Sequence, residues 1–229
     1  MRNQILLASP KTQSLGFRYA IFASLFLPTV LSAVITATGW QLHVLYLNAA
    51  YFSINFLILV VIFRRFLLES LRAFVKKWRK ILLTALLGFL VYLGANWLLT
   101  KAITQIAPDF YNRNNGSIAL MAEKSYFWTV FGTVFLVPVA EECMFRAGVF
   151  GSIYRKKPWF AYLFSTILFS LVHIDGFFGI ADGQVLFLSF LQHLPAGVVL
   201  ATAYDISGSI FAPIFIHMAV NALGMLALR

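Results

Sequence analysis

Two adjacent glutamates and an arginine stand inside a segment that is otherwise apolar enough to cross a bilayer. Glu141 and Glu142 are followed by Arg146 in Val137-Pro-Val-Ala-Glu-Glu-Cys-Met-Phe-Arg146. Carboxylates at membrane depth are costly, so they persist mostly when they are paired, face a cavity or take part in a reaction. Residues four apart share a helix face and can pair, whereas Glu141 points about 100° away from Glu142. We therefore expect Arg146 to neutralise Glu142 and leave Glu141 free to act as a general base.

Two further motifs place polar side chains at helical spacing in the second half of the chain. Phe169-Ser-Leu-Val-His173 puts an aromatic ring and an imidazole on one helix face. His217-Met-Ala-Val-Asn221 puts an imidazole and an amide on another, which suits a pair of donors to a developing oxyanion.

The elements that must position these residues are membrane helices. Of 229 residues, 61% are hydrophobic and 11% are charged, which excludes a water-soluble domain. Runs of about 20 apolar residues predict an all-α, polytopic integral membrane bundle of about seven transmembrane helices, with six to eight as the range. The predicted spans are Tyr19–Trp40, Val44–Phe63, Ile81–Thr100, Phe127–Tyr154, Trp159–His173, Val185–Ala203 and Ser209–Leu228. The single cysteine, Cys143, excludes an intrachain disulfide framework.

Basic residues predict the orientation of these spans, because short cytoplasmic loops carry the excess of lysine and arginine. Thirteen of the 18 lysines and arginines fall on one side. They are Arg2, Lys11, Arg18, Arg64, Arg65, Arg72, Lys76, Lys77, Arg79, Lys80, Arg155, Lys156 and Lys157. The sequence therefore predicts a multi-pass protein of the cell membrane with a cytoplasmic N-terminus. The net charge of +10 is assigned to contact with anionic lipid headgroups and not with nucleic acid.

The basic segment 64–80 has two possible structures. It mixes apolar and basic positions, which fits either a helix along the membrane surface or a plain charged loop.

The depth of the three motifs in the membrane can be compared by counting residues. At 1.5 Å per residue from the basic turn at 155–157, Glu142 lies about 20 Å deep and His173 about 24 Å. His217 lies about 12 Å from a helix start near residue 209, so it meets them only if that helix begins deeper or is tilted. We expect the site to open to the cytoplasmic half.

The three motifs resemble, in this order, the signature motifs of the CPBP intramembrane proteases, also called the Abi family. They are Glu-Glu-x-x-x-Arg at 141–146, Phe-x-x-x-His at 169–173 and His-x-x-x-Asn at 217–221. The family includes the type II CAAX prenyl endopeptidases, and the resemblance covers roughly residues 125–225. It suggests one continuous membrane domain, in which N-terminal helices with a basic cytoplasmic loop (1–124) precede a catalytic core (125–229).

The resemblance implies an intramembrane endopeptidase that hydrolyses peptide, prenylated or membrane-protein substrates. By motif, Glu141 together with His173 would activate the attacking water. Glu142 and Arg146 would be their structural partners.

The same resemblance implies that His217 and Asn221 hold the oxyanion of the tetrahedral intermediate. The family is commonly labelled as metalloproteases, and Glu141, His173 and His217 are an acceptable set of zinc ligands. Without a His-Glu-x-x-His pair on one helix, a metal-free mechanism driven by glutamate is favoured over one that uses Zn²⁺.

Two other functions fit a chain of this kind. A membrane scaffold or regulator of the same fold would not need every acid, base and oxyanion residue, and this chain retains them all. A proton-coupled transporter could use buried glutamate and histidine, but it would be expected to show inverted repeats, and none is visible. Neither the substrate nor the oligomeric state follows from the sequence.

Three polar residues outside the motifs receive structural interpretations. Gln192 and His193 are assigned to packing in preference to the cavity. Asp205 is predicted to cap the last helix, because Asp-Ile-Ser-Gly is typical of a turn.

Overall fold

The fold is a bundle of helices. The computed structural model describes residues 5–39 and 43–229, so Arg2 and Trp40 lie outside the described ranges. Within those ranges there are eight helices and no strand. The helices are α1 (Pro10–Leu25), α2 (Leu27–Thr38), α3 (Val44–Ile106), α4 (Arg113–Lys124), α5 (Tyr126–Tyr154), α6 (Pro158–Val172), α7 (Gly183–Ser207) and α8 (Phe211–Leu226). The predicted all-α membrane bundle is confirmed.

In the described residues, each of the seven predicted spans lies largely on these helices. In the described part of the chain, α3, α5 and α7 are long and apolar enough to cross a membrane. Helices α1 and α2, bent by 44°, form a fourth candidate if they are counted as one span. Pro28 lies just after this bend, where it removes a backbone donor. Helices α6 and α8 have 15 and 16 residues, which is shorter than the roughly 20 residues of a full crossing.

Helix α3 contains two predicted spans and the basic segment between them. It runs for 63 residues, and its one interior residue with non-helical backbone angles is Lys77, at φ −127° and ψ 21°. The segment 64–80 is therefore helical on both sides of Lys77. This agrees with the helical alternative for the basic segment and not with the plain loop.

One end of the bundle gathers the chain segments that carry most of the basic residues. Arg155 donates a hydrogen bond from Nη2 to the Ala8 carbonyl at 3.2 Å, which joins the α5–α6 turn to the start of the chain. The Leu6 N–H donates to the Gly208 carbonyl at 3.2 Å, which adds the α7–α8 turn. Phe74 of the basic segment packs against Phe211 at the start of α8. We call this the basic end.

Asp205 helps to hold the basic end together. The prediction that it caps the last helix is wrong, because Asp205 lies inside α7, which ends at Gly208 in the left-handed conformation. Its carboxylate accepts hydrogen bonds from the hydroxyls of Tyr154 and Tyr162 at 2.6 and 2.7 Å. One side chain thus links α5, α6 and α7.

The opposite end of the bundle is held by a different set of contacts. The Tyr126 hydroxyl, at the start of α5, donates to the Met225 carbonyl near the end of α8 at 3.0 Å. Asn112, which caps α4, donates from Nδ2 to Gln192 Oε1 in α7 at 2.6 Å. Gln192 therefore makes a packing contact between helices, as predicted.

Candidate active site

Helix α5 changes its winding on both sides of the two glutamates. Val137–Glu142 is α-helical, and it lies between two π-helical stretches, Phe131–Leu136 and Cys143–Phe150. In a π-helix the Thr133 carbonyl would accept from residue 138, but Pro138 has no N–H. Asn221 of α8 supplies the missing donor, because its Nδ2 lies 2.8 Å from the Thr133 carbonyl. This bond attaches the last motif to α5 two turns before the glutamates.

The predicted ion pair between Glu142 and Arg146 is present and fully buried. Glu142 Oε2 lies 3.1 Å from Arg146 Nε, and both side chains are 0% exposed. Arg146 Nη2 also approaches the Gly197 carbonyl at 3.5 Å, and its guanidinium lies 4.7 Å from the centre of the Phe169 ring. A buried charge pair of this kind is tolerated because each charge has its partner.

The two histidines of the motifs are each oriented through Nδ1. His217 Nδ1 lies 3.0 Å from Glu142 Oε1, the carboxylate oxygen that does not face Arg146. His173 Nδ1 lies 2.8 Å from the Phe169 carbonyl, one turn earlier in the chain. Since a carbonyl and an ionised carboxylate only accept hydrogen bonds, both Nδ1 atoms donate. The neutral form of each ring then presents an Nε2 lone pair on its other side.

Glu141 lies between these two Nε2 atoms. Its Oε2 is 3.8 Å from His173 Nε2 and 3.8 Å from His217 Nε2. These separations are longer than a direct hydrogen bond and suit bridging through one small group. The Glu141 side chain is 23% exposed, whereas that of Glu142 is 0% exposed. Of the adjacent glutamates, Glu141 is thus the accessible one, and α8 does bring His217 into reach of the other two motifs.

A cavity of about 660 Å³ leads to Glu141 and His173. It is lined by most of α2, the first three turns of α3, helix α4, the middle of α5 and the turn after α6. Apart from the middle of α5, these elements lie in the half of the bundle opposite the basic end. The expectation that the site opens toward the side carrying the basic residues is therefore not met.

Asp175, in the turn after α6, adds a second acid to the cavity wall. Burial raises the pKa of its carboxyl group to about 6, and a hydrogen bond from the Gly176 backbone opposes the shift. No lysine or arginine occurs among the described residues that line this cavity. The described lining of the cavity therefore carries two acidic side chains, Glu141 and Asp175, and no lysine or arginine.

His193, which the sequence assigned to packing, packs directly against a residue of the site. Its ring stacks on the His173 ring, with centroids 4.2 Å apart and planes 28° from parallel. Its Nε2 is buried without a hydrogen-bond partner in the described residues. No motif marks His193, because it stands 20 residues from His173 on a different helix.

The donor atoms of Glu141, His173 and His217 fit zinc in kind. Zinc-bound histidines usually donate their second ring N–H to a carboxylate or a carbonyl, as both histidines do here. In a tetrahedral site with bonds of about 2.0–2.1 Å, donor atoms stand about 3.3–3.4 Å apart, which is closer than the 3.8 Å found. No group of three potential ligands among the described residues has metal-site geometry as it stands.

Comparisons with known proteins agree with these motifs. Residues 123–223 match the family model for "Type II CAAX prenyl endopeptidase Rce1-like". The chain is 27% identical over 177 residues to "UPF0177 protein YxdF" of Lactococcus lactis subsp. lactis (strain IL1403), across 76% of this chain and 93% of that protein. It is 32% identical over 85 residues to "Putative membrane peptidase YdiL" of Bacillus subtilis (strain 168), across 37% of this chain and 30% of that protein. No solved structure matches the chain.

Proposed function

We propose that the chain is an intramembrane endopeptidase whose Glu141 activates the attacking water, because residues 123–223 match the Rce1-like family model and carry all three motifs. One observation carries the proposal. Glu141 Oε2 lies at equal distance, 3.8 Å, from the Nε2 atoms of His173 and His217, at the inner end of a cavity. A base within reach of a water, beside groups that can steady the developing charge, is what peptide hydrolysis requires.

In the proposed first step, Glu141 takes a proton from water, and the water oxygen forms a bond to the peptide carbonyl carbon. His173 Nε2 accepts the second hydrogen of that water and so orients its lone pair. The proton held by Glu141 then passes to the leaving nitrogen as the carbon–nitrogen bond breaks. Glu141 thus serves as base and then as acid, and no other proton source is needed.

The oxyanion is assigned to His217 and Asn221. Glu142 holds the His217 ring through Nδ1, as the buried carboxylate of a catalytic triad holds its histidine. In the proposed role His217 carries a hydrogen on each ring nitrogen and donates from Nε2 to the oxyanion. Asn221 uses one Nδ2 hydrogen on the Thr133 carbonyl and has a second one to donate.

If zinc is bound, Glu141, His173 and His217 would hold it. It would supply a Lewis acid that lowers the pKa of bound water. The proposed steps assign the proton transfers to Glu141 in either case. Since Glu141 Oε2 stands 3.8 Å from each Nε2 atom, wider than zinc ligands stand from one another, we favour the metal-free route.

The proposed setting is the cell membrane, which the chain crosses several times with its N-terminus in the cytoplasm. The concentration of basic residues at one end of the bundle supports this orientation, with anionic lipid headgroups as partners of that end. The proposed substrates are peptides or membrane proteins, and no nucleic-acid partner is proposed.

The test is cleavage of a peptide library by the purified protein in detergent. Wild type is compared with Glu141→Gln and with Glu69→Gln, which removes an exposed glutamate of the basic segment as a matched control. We expect the first substitution to abolish cleavage and the second to leave it intact. Equal cleavage by wild type and Glu141→Gln would refute the proposal. If wild type cleaves no peptide, the result refutes the protease proposal and favours a non-proteolytic scaffold.

A further inference from the structure

The active-site cavity lies in the half of the bundle opposite the basic segments. Val44, the first residue of α3, lines the cavity, and Arg64 in the same helix opens the basic segment. The 20 residues between them are continuously helical and so span about 30 Å. That length equals the thickness of the hydrocarbon core of a bilayer.

Other elements give the same result independently of α3. Helix α6 starts beside the basic turn and ends next to His173 and Gly176, which line the cavity. Asn114 and Ser117 of α4 also line it. Helix α4 ends at Lys124, two residues before Tyr126, whose hydroxyl donates to the Met225 carbonyl at the end opposite the basic one.

We propose that the active-site cavity opens on the extracytoplasmic face of the membrane and receives peptide segments presented there. The proposal rests on the endopeptidase function proposed above. It follows from the separation of about 30 Å, because the end with the lysines and arginines faces the cytoplasm. The substrate class is thus exported peptides or the outer segments of membrane proteins.

The wall of the cavity narrows this class further. Glu141 and Asp175 contribute acidic groups, and no described lining residue is basic. An anionic peptide, or a chain end that places its carboxylate in the cavity, would meet like charge there, and no described lining residue is a lysine or arginine that could offset it. Neutral and cationic segments are therefore the expected substrates, with apolar side chains against Phe145 and Met144 at the inner end.

Cysteine labelling tests the orientation without any need for proteolysis. The single Cys143 is buried, and Cys143→Ala gives a background without cysteine. Ser117→Cys then reports on the cavity and Lys156→Cys on the basic end. In intact cells we expect a membrane-impermeant maleimide to label Ser117→Cys alone, with Lys156→Cys labelled only after permeabilisation. Asn115→Cys, at an exposed position of α4, serves if the cavity shields residue 117.

The reverse pattern, or labelling of Lys156→Cys in intact cells, would overturn the proposal. A second arm adds matched peptides that carry lysine or glutamate beside the cleaved bond. These peptides are given to sealed right-side-out vesicles and to detergent-solubilised protein. We expect cleavage in both preparations, faster with lysine, and loss of cleavage with Glu141→Gln. Cleavage in detergent but not in sealed vesicles would refute the outward opening and leave the protease function standing. Outward labelling without any cleavage in detergent would refute the protease function and leave the orientation standing.

Discussion

Replacing Arg146 by methionine would leave the Glu142 carboxylate buried without its countercharge. Both side chains are 0% exposed and 3.1 Å apart, so water cannot compensate for the lost partner. Removing one partner of a buried pair typically costs about 3–5 kcal/mol. Since 1.4 kcal/mol is a factor of ten in an equilibrium constant, Arg146→Met should raise the equilibrium constant for unfolding by about two to three and a half orders of magnitude. His217 can offset only part of this, because it is bonded to the other carboxylate oxygen.

Two double variants separate the charge from the hydrogen bond. Glu142→Gln with Arg146→Met removes both charges and keeps an amide oxygen for His217 Nδ1, so it should recover most of the stability and part of the activity. Glu142→Leu with Arg146→Met also removes both charges, and replacing such pairs by apolar groups is often neutral or stabilising. It should recover stability but not activity, because His217 then has no acceptor for Nδ1.

The assay is reversible denaturation in detergent micelles, followed by circular dichroism, with peptide cleavage measured on the same preparations. A loss of less than about 1 kcal/mol of unfolding free energy for Arg146→Met is the range expected for an exposed ion pair. That result would refute the interpretation that Glu142 depends on Arg146 as its buried countercharge. Full activity of the Glu142→Leu double variant would refute the role of Glu142 in orienting His217.

Three further predictions concern neighbours of the site. Gly197→Ala should lower the thermal midpoint, because its Cβ would stand 2.8 Å from Thr166 Cγ2 and 3.0 Å from the Thr166 backbone; an unchanged midpoint would contradict this close approach of α6 and α7. His193→Ala should lower kcat up to about tenfold at unchanged KM, since an aromatic pair is worth about 0.5–1.5 kcal/mol, and His193→Phe should restore most of kcat; equal kcat in both variants would rule out a stacking role. Asn221→Leu should reduce stability by about 1–3 kcal/mol, because it leaves the Thr133 carbonyl unpaired; unchanged stability would show that this carbonyl finds another donor.

Local spacing was enough to predict some parts of the site. The pairing of Glu142 with Arg146 follows from a separation of four residues on one helix, which tertiary structure does not alter. The contacts between residues of different helices could not be predicted from spacing and required the structure. That Glu142 also binds His217, and that Glu141 lies midway between His173 and His217, depends on how α6 and α8 pack against α5.

Three features were outside the reach of sequence reasoning. The stacking of His193 on His173 joins residues of two helices that no motif relates. The bond from Asn221 to the Thr133 carbonyl requires the π-helical winding ahead of Pro138, which leaves no periodic signal. The position of the cavity is also not predictable from spacing. Counting residues along a helix gives the distance of a residue from the basic end. It does not show at which end the neighbouring helices separate to form a cavity.

The central claim, that Glu141 is the group that activates water, is tested most directly by kcat/KM on the best-cleaved library peptide. Wild type, Glu141→Gln and Glu69→Gln are each measured before and after treatment with a zinc chelator. The account predicts a loss of at least about 10²–10⁴-fold for Glu141→Gln, the usual contribution of a general base. It predicts no loss for Glu69→Gln and chelator-resistant activity of wild type. Unchanged kcat/KM in Glu141→Gln would contradict the claim itself, whereas activity that disappears with chelator and returns with zinc would contradict the metal-free route.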